Sequence, residues 1–314
     1  MPEYHLPVLK NEIIALLDPR PGGVYLDATL GGGGLGAELL ERAGPNGLLL
    51  GIDRDPEAVE YATRRLAPYG SRARIVRGDF RNLESILASE GISEIDGAVF
   101  DLGVSSWQLD SDRGFSFMRD EPLSMKMDPA EDTPDAAHIV NTYTEPELAE
   151  LIRTCGEERY ARRIARAIVE RRRKAPITRT GELVDVIVSA VGAAYRGQQI
   201  HPATRTFQAI RIRVNRELEA IEAGLPAAIE ALKPEKRVCT VAFHSLEDGL
   251  VKSIFRRLSG KCECPPRLPE CRCGARKIVR IVTRKPVVPS EEEIRANPRS
   301  RSAKLRCAER VDSR

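Results

Sequence analysis

The sequence lacks any long apolar run. A membrane-spanning helix needs about 20 consecutive, mostly apolar residues, and no stretch of the chain approaches that length. Residues 1–18 are interrupted by Glu3, Lys10 and Glu12. They therefore lack the apolar stretch that follows the charged start of a secretory signal. We therefore expect neither a membrane protein nor an exported one, and we expect a cytoplasmic location.

Internal repeats and strong compositional bias are also absent. The 24 glycines and 21 prolines are scattered without a period, which excludes collagen-like and low-complexity chains. Apolar residues make up 42% of the 314 residues and charged residues 30%. These values exclude disorder of the whole chain, and they leave enough apolar material for one large domain or two smaller ones.

The cysteine count of seven is odd, which argues against a complete disulfide framework. Reduced thiols are expected in a cytosol. Four thiolates close together in the chain could bind zinc tetrahedrally. Their C-x-C spacing is less usual in zinc sites than C-x-x-C. A redox-labile loop and an oxidised pair of cysteines are the alternatives. The four are Cys262, Cys264, Cys271 and Cys273. Core positions are expected for Cys155, Cys239 and Cys307.

Strand and helix patterns alternate over the first hundred residues. This alternation predicts βαβ crossovers and a parallel sheet, whose ligands bind beyond the carboxyl ends of the strands. An aspartate stands at or just beyond the end of each apolar run. The predicted strands are Val24–Leu26, Leu48–Ile52, Ala73–Val76 and Ile95–Phe100.

The strand pattern stops after the fourth strand and returns only near Arg237–Phe243. Between them Glu145–Cys155 and Arg159–Arg173 look helical, and Val184–Val188 is ambiguous. We predict a sheet domain interrupted by a helical insertion. Its parts are a first sheet segment (1–112), an inserted Arg-rich helical substrate domain (113–205) and a second sheet segment (206–314).

A glycine-rich loop follows the first strand. Gly31, Gly33 and Gly36 fit G-x-G-x-x-G between a strand and a helix, where a ligand can approach backbone N–H groups closely. This spacing suits a dinucleotide, S-adenosylmethionine, or a merely tight turn.

The acids near the loop bear on which ligand it takes. Asp27 would accept from the ammonium group of S-adenosylmethionine but would repel the pyrophosphate of a dinucleotide. Asp53 could take ribose hydroxyls, while Asp79 could accept from an adenine amino group and Phe80 could pack on the ring. The alternative is that each aspartate only caps a helix.

Positive charge is concentrated between residues 153 and 216, a stretch that contains 15 Lys and Arg but only 5 Asp and Glu. Such a stretch fits phosphate contacts or a solvated helical surface. One helix face collects four arginines by their i, i+3, i+4 spacing: Arg159, Arg162, Arg163 and Arg166. Arg205, Arg211 and Arg213 could extend this face.

Several longer segments resemble the bacterial 16S ribosomal RNA (cytosine-N4)-methyltransferase family, and together they span almost the whole chain. They are His5–Leu9, Asp27–Gly34, Asp101–Gln108, Arg113–Phe117, Gly156–Arg159, His201–Gln208, Phe243–Asp248 and Asn297–Ser302.

The resemblance implies an α/β class I S-adenosylmethionine-dependent methyltransferase with a Rossmann-like parallel sheet and an inserted helical domain. It also implies S-adenosylmethionine as donor and the decoding region of 16S ribosomal RNA, or the small ribosomal subunit, as substrate. The cofactor positions carried over are Gly33, Gly34, Leu35, Asp53, Phe80, Asp101 and Gln108, to which Asp27 is added from the charge argument. Leu35 departs from the family, which usually has His there.

Methylation of a cytosine amino group is mostly a matter of positioning, with an acceptor needed for its proton. Asp101 is placed for that role, and His244 is a second candidate, although Ser245 and Asp248 fit a capping-box spacing. Trp107 could stack on an extruded base or anchor the core. Ser105 and Ser106 could bond the base edge or cap a helix.

Three functions compete for this sequence. The leading one is an RNA cytosine-N4 methyltransferase. The others are a nicotinamide-dependent oxidoreductase, which Asp27 and the Arg-rich insertion oppose, and a non-catalytic RNA-binding or ribosome-assembly protein. A homodimer is left open.

Overall fold

The computed structural model describes residues 7–197, 200–262, 264, 272 and 276–312. The chain forms two compact units. We call residues 1–103 with 218–314 the sheet unit, and residues 104–217 the helical unit. The predicted division after residues 112 and 205 stays a prediction for the functional domains. No helix in the described ranges is long and apolar enough to cross a membrane.

The sheet unit is built on a seven-stranded sheet in the order β3-β2-β1-β4-β5-β7-β6. Neighbours from β3 to β5 are parallel, and β7 runs antiparallel to both β5 and β6. The strands are β1 (Val24–Asp27), β2 (Leu48–Asp53), β3 (Ala73–Arg77), β4 (Ile95–Asp101), β5 (Leu232–Ala242), β6 (Val279–Ile281) and β7 (Lys304–Arg310).

The predicted α/β fold class with a Rossmann-like, mostly parallel sheet is confirmed. The chain order reverses between β1 and β4, which is the topological switch point where ligands of such sheets bind.

The helices, in chain order, are α1 (Lys10–Leu17), α2 (Gly34–Ala43), α3 (Pro56–Leu66), α4 (Leu83–Ser89), α5 (Ser106–Asp110), α6 (Ala136–Thr142), α7 (Glu145–Cys155), α8 (Ala161–Arg172), α9 (Thr180–Val191), α10 (Thr204–Asn215), α11 (Glu217–Ala231), α12 (Ser245–Leu258) and α13 (Glu291–Ala296). The helical unit contains α5 to α10. The ambiguous segment Val184–Val188 lies within α9, whose apolar residues face a helical core rather than a sheet.

Apolar side chains cover both faces of the sheet, as parallel strands require. Leu26 and Leu50 point into a core formed with α4, α11 and α12. Tyr25 and Leu49, one residue earlier on the same strands, point into a second core with α1, α2 and α3. This period-2 alternation fixes the register of the strands, because a slip by one residue would exchange the two cores.

The helical unit has its own core and its own start signals. Thr144 and Glu147 form a capping box at the start of α7, and Asn215 at the end of α10 accepts the Met127 N–H at 2.9 Å and donates to the Met125 carbonyl at 2.7 Å. Buried Ile164, Ala165 and Ile168 turn one side of α8 toward this core, which leaves the arginines of that helix on the other side.

Candidate functional site

Three aspartates end three adjacent strands of the sheet unit. Asp27 is the last residue of β1, Asp53 of β2 and Asp101 of β4. The strands are parallel neighbours, and Asp27 pairs in register with Gly51 of β2 and Val99 of β4. The three carboxyl groups therefore lie at one edge of the sheet, at its switch point.

Two of these carboxyl groups each have one buried oxygen without a hydrogen-bond partner. Asp27 is 2% exposed, and its Oδ2 accepts no hydrogen bond; Oδ1 of Asp101 is likewise buried and unsatisfied. Buried polar atoms in proteins are almost always hydrogen-bonded. Within the described part of the chain, these two oxygens are thus acceptors that a bound donor would satisfy.

The electrostatics of this edge favour a cation. Burial raises the pKa of Asp27 to about 7 and that of Asp53 to about 6. Burial and then the charges of Asp27 and Glu247 raise the pKa of Asp101 to about 8. Bringing a positive group beside these carboxyls would favour their ionised forms, whereas an anion would be repelled.

Thr29 joins two of the acids. Its backbone N–H donates to Oδ1 of Asp27 at 3.2 Å, and its hydroxyl accepts the backbone N–H of Asp101 at 2.6 Å. Sequence reasoning missed this residue. The available signal was its position, between a strand-ending aspartate and a glycine run, where a short hydroxyl side chain can bond the neighbouring strand.

The glycine loop has the geometry that its glycines predict. Gly31 and Gly33 have φ of 49° and 72°, a left-handed conformation that other residues adopt at a cost. Gly33 precedes α2, so the first N–H groups of that helix open at the loop. A Cβ at Gly36 would lie 2.7 Å from the Leu49 side chain, which explains its small size.

Leu35 is a core residue of the sheet unit. It is 5% exposed and packs in the core between α2 and the sheet. Because a leucine side chain has no polar atom, any hydrogen bond from residue 35 to a ligand would come from its backbone.

Asp53 ties the loop to β2. Its Oδ2 accepts the Gly31 N–H at 2.8 Å, and its Oδ1 accepts the Asp55 N–H at 2.9 Å. Each carboxylate oxygen has a second lone pair, so Asp53 can position the loop and still accept from a ligand hydroxyl.

Asp79 behaves as the capping alternative predicts, not as a free acceptor. It accepts the Arg81 N–H at 2.8 Å at the start of a short 3₁₀ helix, and it forms ion pairs with Arg54 at 3.3 Å and Arg81 at 2.7 Å. Phe80 is half-buried and packs edge-on against Phe100, with ring centroids 5.3 Å apart.

His244 begins α12, directly after β5. Its Nδ1 accepts the Glu247 N–H at 3.4 Å as the helix cap, and its Nε2 is buried without a hydrogen bond. The cap is therefore His244 with Glu247, and the predicted pair of Ser245 with Asp248 is wrong. Asp248 instead binds Arg306 at 2.6 Å. Spacing alone could not separate these pairs, because they differ by one residue.

Four of the predicted residues belong to α5 and its cap in the helical unit. Ser105 and Gln108 form a capping box with two 3.1 Å hydrogen bonds, so Ser105 fills the capping role, and Gln108 is 6% exposed. Ser106 is half-buried. Trp107 is 36% exposed, which argues against its being a core anchor.

The predicted arginine face is exposed. Arg162, Arg163 and Arg166 lie on the outer side of α8, while Arg159 precedes the helix and stacks over the Tyr160 ring at 4.6 Å. Arg166 lies 3.8 Å from Glu145 in a solvent-exposed ion pair, which contributes little. We call these four residues the arginine surface. Arg211 does not extend it, because it is held by Glu217 in two 2.9 Å contacts.

The four-cysteine loop is only partly described. Cys271 and Cys273 lie outside the described residues, so the zinc interpretation stays a prediction. Cys239 and Cys307 are buried, as predicted, and Cys155 is half-buried against the helical core.

Comparison with known proteins gives a family match over nearly the whole chain. A model described as the MraW methylase family matches residues 3–311. A relative from Heliobacterium modesticaldum, named ribosomal RNA small subunit methyltransferase H, is 50% identical over 98% of this chain and 99% of its own. One of the same name from Carboxydothermus hydrogenoformans is 51% identical over 98% of both chains. Among solved structures, an rRNA methylase from Streptococcus thermophilus covers 96% of this chain and 94% of its own, with 12% identity and a TM-score of 0.40.

Proposed function

The chain belongs to the MraW methylase family and is a methyltransferase, and we propose that it moves a methyl group from S-adenosylmethionine to the exocyclic N4 of a cytosine in 16S ribosomal RNA. The relatives' name supports ribosomal RNA of the small subunit as the substrate class. The decoding region, and the assembled subunit as the form that is methylated, extend this proposal from the sequence resemblance. A cytoplasmic location is part of this proposal, since a ribosomal RNA substrate would be met there; a homodimer stays a prediction.

The observation that carries the proposal is the pair of buried, unsatisfied carboxyl oxygens of Asp27 and Asp101. S-adenosylmethionine has two positive groups, its sulfonium and its ammonium, and both suit this acidic edge. The pyrophosphate of a nicotinamide cofactor would be repelled there. The oxidoreductase alternative therefore fits neither the site nor the family, and a non-catalytic RNA-binding protein does not fit a methylase family.

The sheet unit can hold the donor with the residues that the sequence predicts. We assign the ammonium group to Asp27, the ribose to Asp53 and the adenine to Phe80. Backbone N–H groups at Gly33, Gly34 and Leu35, at the start of α2, would bind the donor's polar groups. Gln108 is assigned to the donor as well, from the resemblance.

Asp101 is the proposed acceptor for the proton of N4. When bound, S-adenosylmethionine would supply the methyl group to the N4 lone pair, with the electron pair of the methyl–sulfur bond remaining on sulfur, and N4 would have to lose one proton. Asp101 has an unsatisfied oxygen at the sheet edge and a pKa raised to about 8 by burial and neighbouring acids, which makes it a stronger base than an ordinary carboxylate.

The helical unit supplies the proposed RNA contacts. Arginines at an exposed surface bind phosphates and give affinity without much choice of sequence. The exposed Trp107 suits stacking on a base, and Ser106 suits a hydrogen bond to its edge. Ser105 contributes through the cap that orders this segment.

We expect Arg162→Glu with Arg166→Glu to weaken RNA binding at least tenfold at low salt and to lower the salt dependence of binding, because two phosphate contacts are lost and two repulsions are gained. Affinity for S-adenosylmethionine should hold. Filter binding over a range of salt concentrations measures the first effect and calorimetry the second. The control is Arg64→Glu with Arg295→Glu, which makes the same charge change at exposed positions of the sheet unit. Equal RNA affinity in the two double variants would remove the arginine surface from the proposal.

Asp53→Ala should weaken S-adenosylmethionine binding by about tenfold or more and lower the stability of the ligand-free chain by about 1–3 kcal/mol. The carboxylate accepts two backbone N–H groups, and both lose their partner. Asp53→Asn keeps one acceptor oxygen and should recover part of the stability. Calorimetry and thermal unfolding measure the two effects. Unchanged donor affinity in Asp53→Ala would take the ribose role from Asp53.

The function itself is tested by methyl transfer from labelled S-adenosylmethionine to 16S ribosomal RNA, offered both as naked RNA and as small subunits. We expect N4-methylcytidine in the digested RNA of at least one substrate. Incorporation into another nucleoside, or none into either substrate with donor bound to the protein, would overturn the proposal.

A further inference from the structure

Glu247 is a buried acid to which the reaction, as described above, assigns no role. It is 1% exposed and lies in the first turn of α12, which follows β5 directly. Strand β5 is the parallel neighbour of β4, with Val241 in register with Asp101. The segment carrying Glu247 and the proposed proton acceptor thus leave the sheet side by side.

The Glu247 carboxyl group is held in place by the backbone around it. Its Oε2 accepts the Phe243 N–H at 2.8 Å and the His244 N–H at 3.4 Å. Its Oε1 lies 3.1 Å from Nε2 of His244. Because Nδ1 of His244 accepts the Glu247 N–H, a neutral ring carries its hydrogen on Nε2. The acid and the ring therefore fix each other.

Gly103, two residues beyond Asp101, lies next to the Glu247 carboxyl group. A Cβ at Gly103 would lie 3.8 Å from Oε1 of Glu247 and 3.5 Å from the Phe243 ring, so the acid stands close to the backbone that leaves Asp101. Oδ1 of Asp101, which is buried without a hydrogen bond, and the His244 ring, whose Nε2 lies against Oε1 of Glu247, follow these two neighbouring strands.

We propose that Glu247 is a positioning residue for methyl transfer, which keeps Asp101 able to accept the N4 proton and holds the His244 ring beside it. This inference rests on the proposed function, since it concerns the same reaction. A negative charge fixed near a carboxylate disfavours its ionised form and so strengthens it as a base. Its influence is already visible in the raised pKa of Asp101, to which Glu247 contributes after burial and Asp27.

Other charged groups at this edge of the sheet also change the pKa values of the acids there. Asp27 on β1 also raises the pKa of Asp101, and Asp53 on β2 raises that of Asp27. His244 lies at the start of α12 with Glu247. A change confined to Glu247 leaves Asp27 and Asp53 in place, so its effect on Asp101 can be separated from theirs.

Glu247→Gln removes the charge, and its amide oxygen can still accept the two backbone N–H groups. Its NH2 group then faces Nε2 of His244, so the variant also removes the acceptor beside that nitrogen. We expect the methyl-transfer rate at saturating substrates to fall about tenfold at pH 8, and the pH of its half-maximal rate to move to lower values. S-adenosylmethionine affinity should change less than threefold. In the ligand-free protein, the Tm should fall less between pH 7 and pH 8 than in wild type, because Asp101 completes its ionisation at lower pH.

The matched control is Glu84→Gln, an exposed acid in the first turn of α4, the helix that follows β3. It should leave both pH curves unchanged. Glu247→Asp keeps the charge and should retain the wild-type pH of half-maximal rate. It is the variant to measure if Glu247→Gln does not fold. Wild type that transfers no methyl group contradicts the proposed function. The role given to Glu247 is contradicted if wild type is active and Glu247→Gln has the same pH curves of rate and Tm as wild type. It is also contradicted if the pH of half-maximal rate moves as far in Glu247→Asp as in Glu247→Gln.

Discussion

Replacing Asp27 by Asn should stabilise the ligand-free protein while removing most of its affinity for S-adenosylmethionine. The wild-type carboxyl is buried with an unsatisfied oxygen, and its pKa is raised to about 7. A buried charge without a partner is costly, and Asn removes the charge at nearly the same shape. The same charge is what the donor's ammonium group would pair with, and loss of one partner of a buried charge pair costs 2–5 kcal/mol, so affinity should fall by about 30-fold or more.

The sign of the stability effect follows from the direction of the pKa change. Since Asp27 binds its proton more tightly when folded than the ordinary carboxyl of the unfolded chain, the folded state holds more protons from about pH 4 to pH 7. Wild-type stability therefore falls as pH rises through that window. The advantage of Asp27→Asn should grow over the same range and level off above it, as an increase in Tm of a few degrees.

Thermal unfolding from pH 5 to pH 8.5 and calorimetry with S-adenosylmethionine test both halves of this expectation. Asp185→Asn is the control, because Asp185 is exposed on α9 of the helical unit. A variant that binds the donor as wild type does would take Asp27 out of the site. A variant that is less stable at pH 8 would mean that the carboxylate has a structural partner in the ligand-free protein.

The fold was accessible from sequence because its signals are local. Each of the first four strands is a short apolar run stopped by turn residues and an aspartate, and the crossovers between such strands leave little choice but a parallel sheet. The three acids at the strand ends could be placed together for the same reason. Parallel strands deliver their last residues to one edge, whatever the details of packing.

The contacts that decide the chemistry are not local, and these were not predictable. Asp79 was predicted to bind adenine, but it forms ion pairs with Arg54 and Arg81. Arg211 looked like part of a phosphate-binding face, yet Glu217 holds it. In each case a charged residue finds its partner through the packing of other elements, and no spacing rule separates a free side chain from a paired one.

The predicted cap of α12 was wrong for a narrower reason. The motif His244-Ser245-Leu246-Glu247-Asp248 contains two acceptor–acid pairs three residues apart, and Ser is the commoner capping residue. The structure uses the His instead, which buries Glu247 and turns it toward the sheet edge. A shift of one residue in the helix start thus decides which acid reaches the site.

Replacing Asp101 by Asn should lower the methyl-transfer rate by about 100-fold or more, the usual effect of removing a positioned general base. The amide keeps the size of the carboxyl group and can still accept a hydrogen bond from N4, but it cannot take its proton. Single-turnover transfer at saturating donor and RNA measures this loss separately from binding. Wild-type rates should rise with pH as Asp101 ionises, while the residual rate of the variant should be nearly independent of pH over the same range. Because the donor is a cation, its binding favours the ionised carboxyl and should place the wild-type rise below the value of about 8 found for the ligand-free protein.

Asp96→Asn is the matched control for Asp101→Asn, since both residues lie on β4 at its opposite ends. Asp96 accepts the Val24 N–H at 3.0 Å and pairs with Lys233 at 2.8 Å, so its replacement should lower stability and leave the rate per folded molecule unchanged. A rate for Asp101→Asn within threefold of wild type would exclude Asp101 as the acceptor of the N4 proton. Loss of rate in both variants alike would point to β4 as a structural requirement and would leave the proton without an assigned acceptor. Only a loss specific to Asp101, together with a flattened pH profile, agrees with a base at the end of this strand.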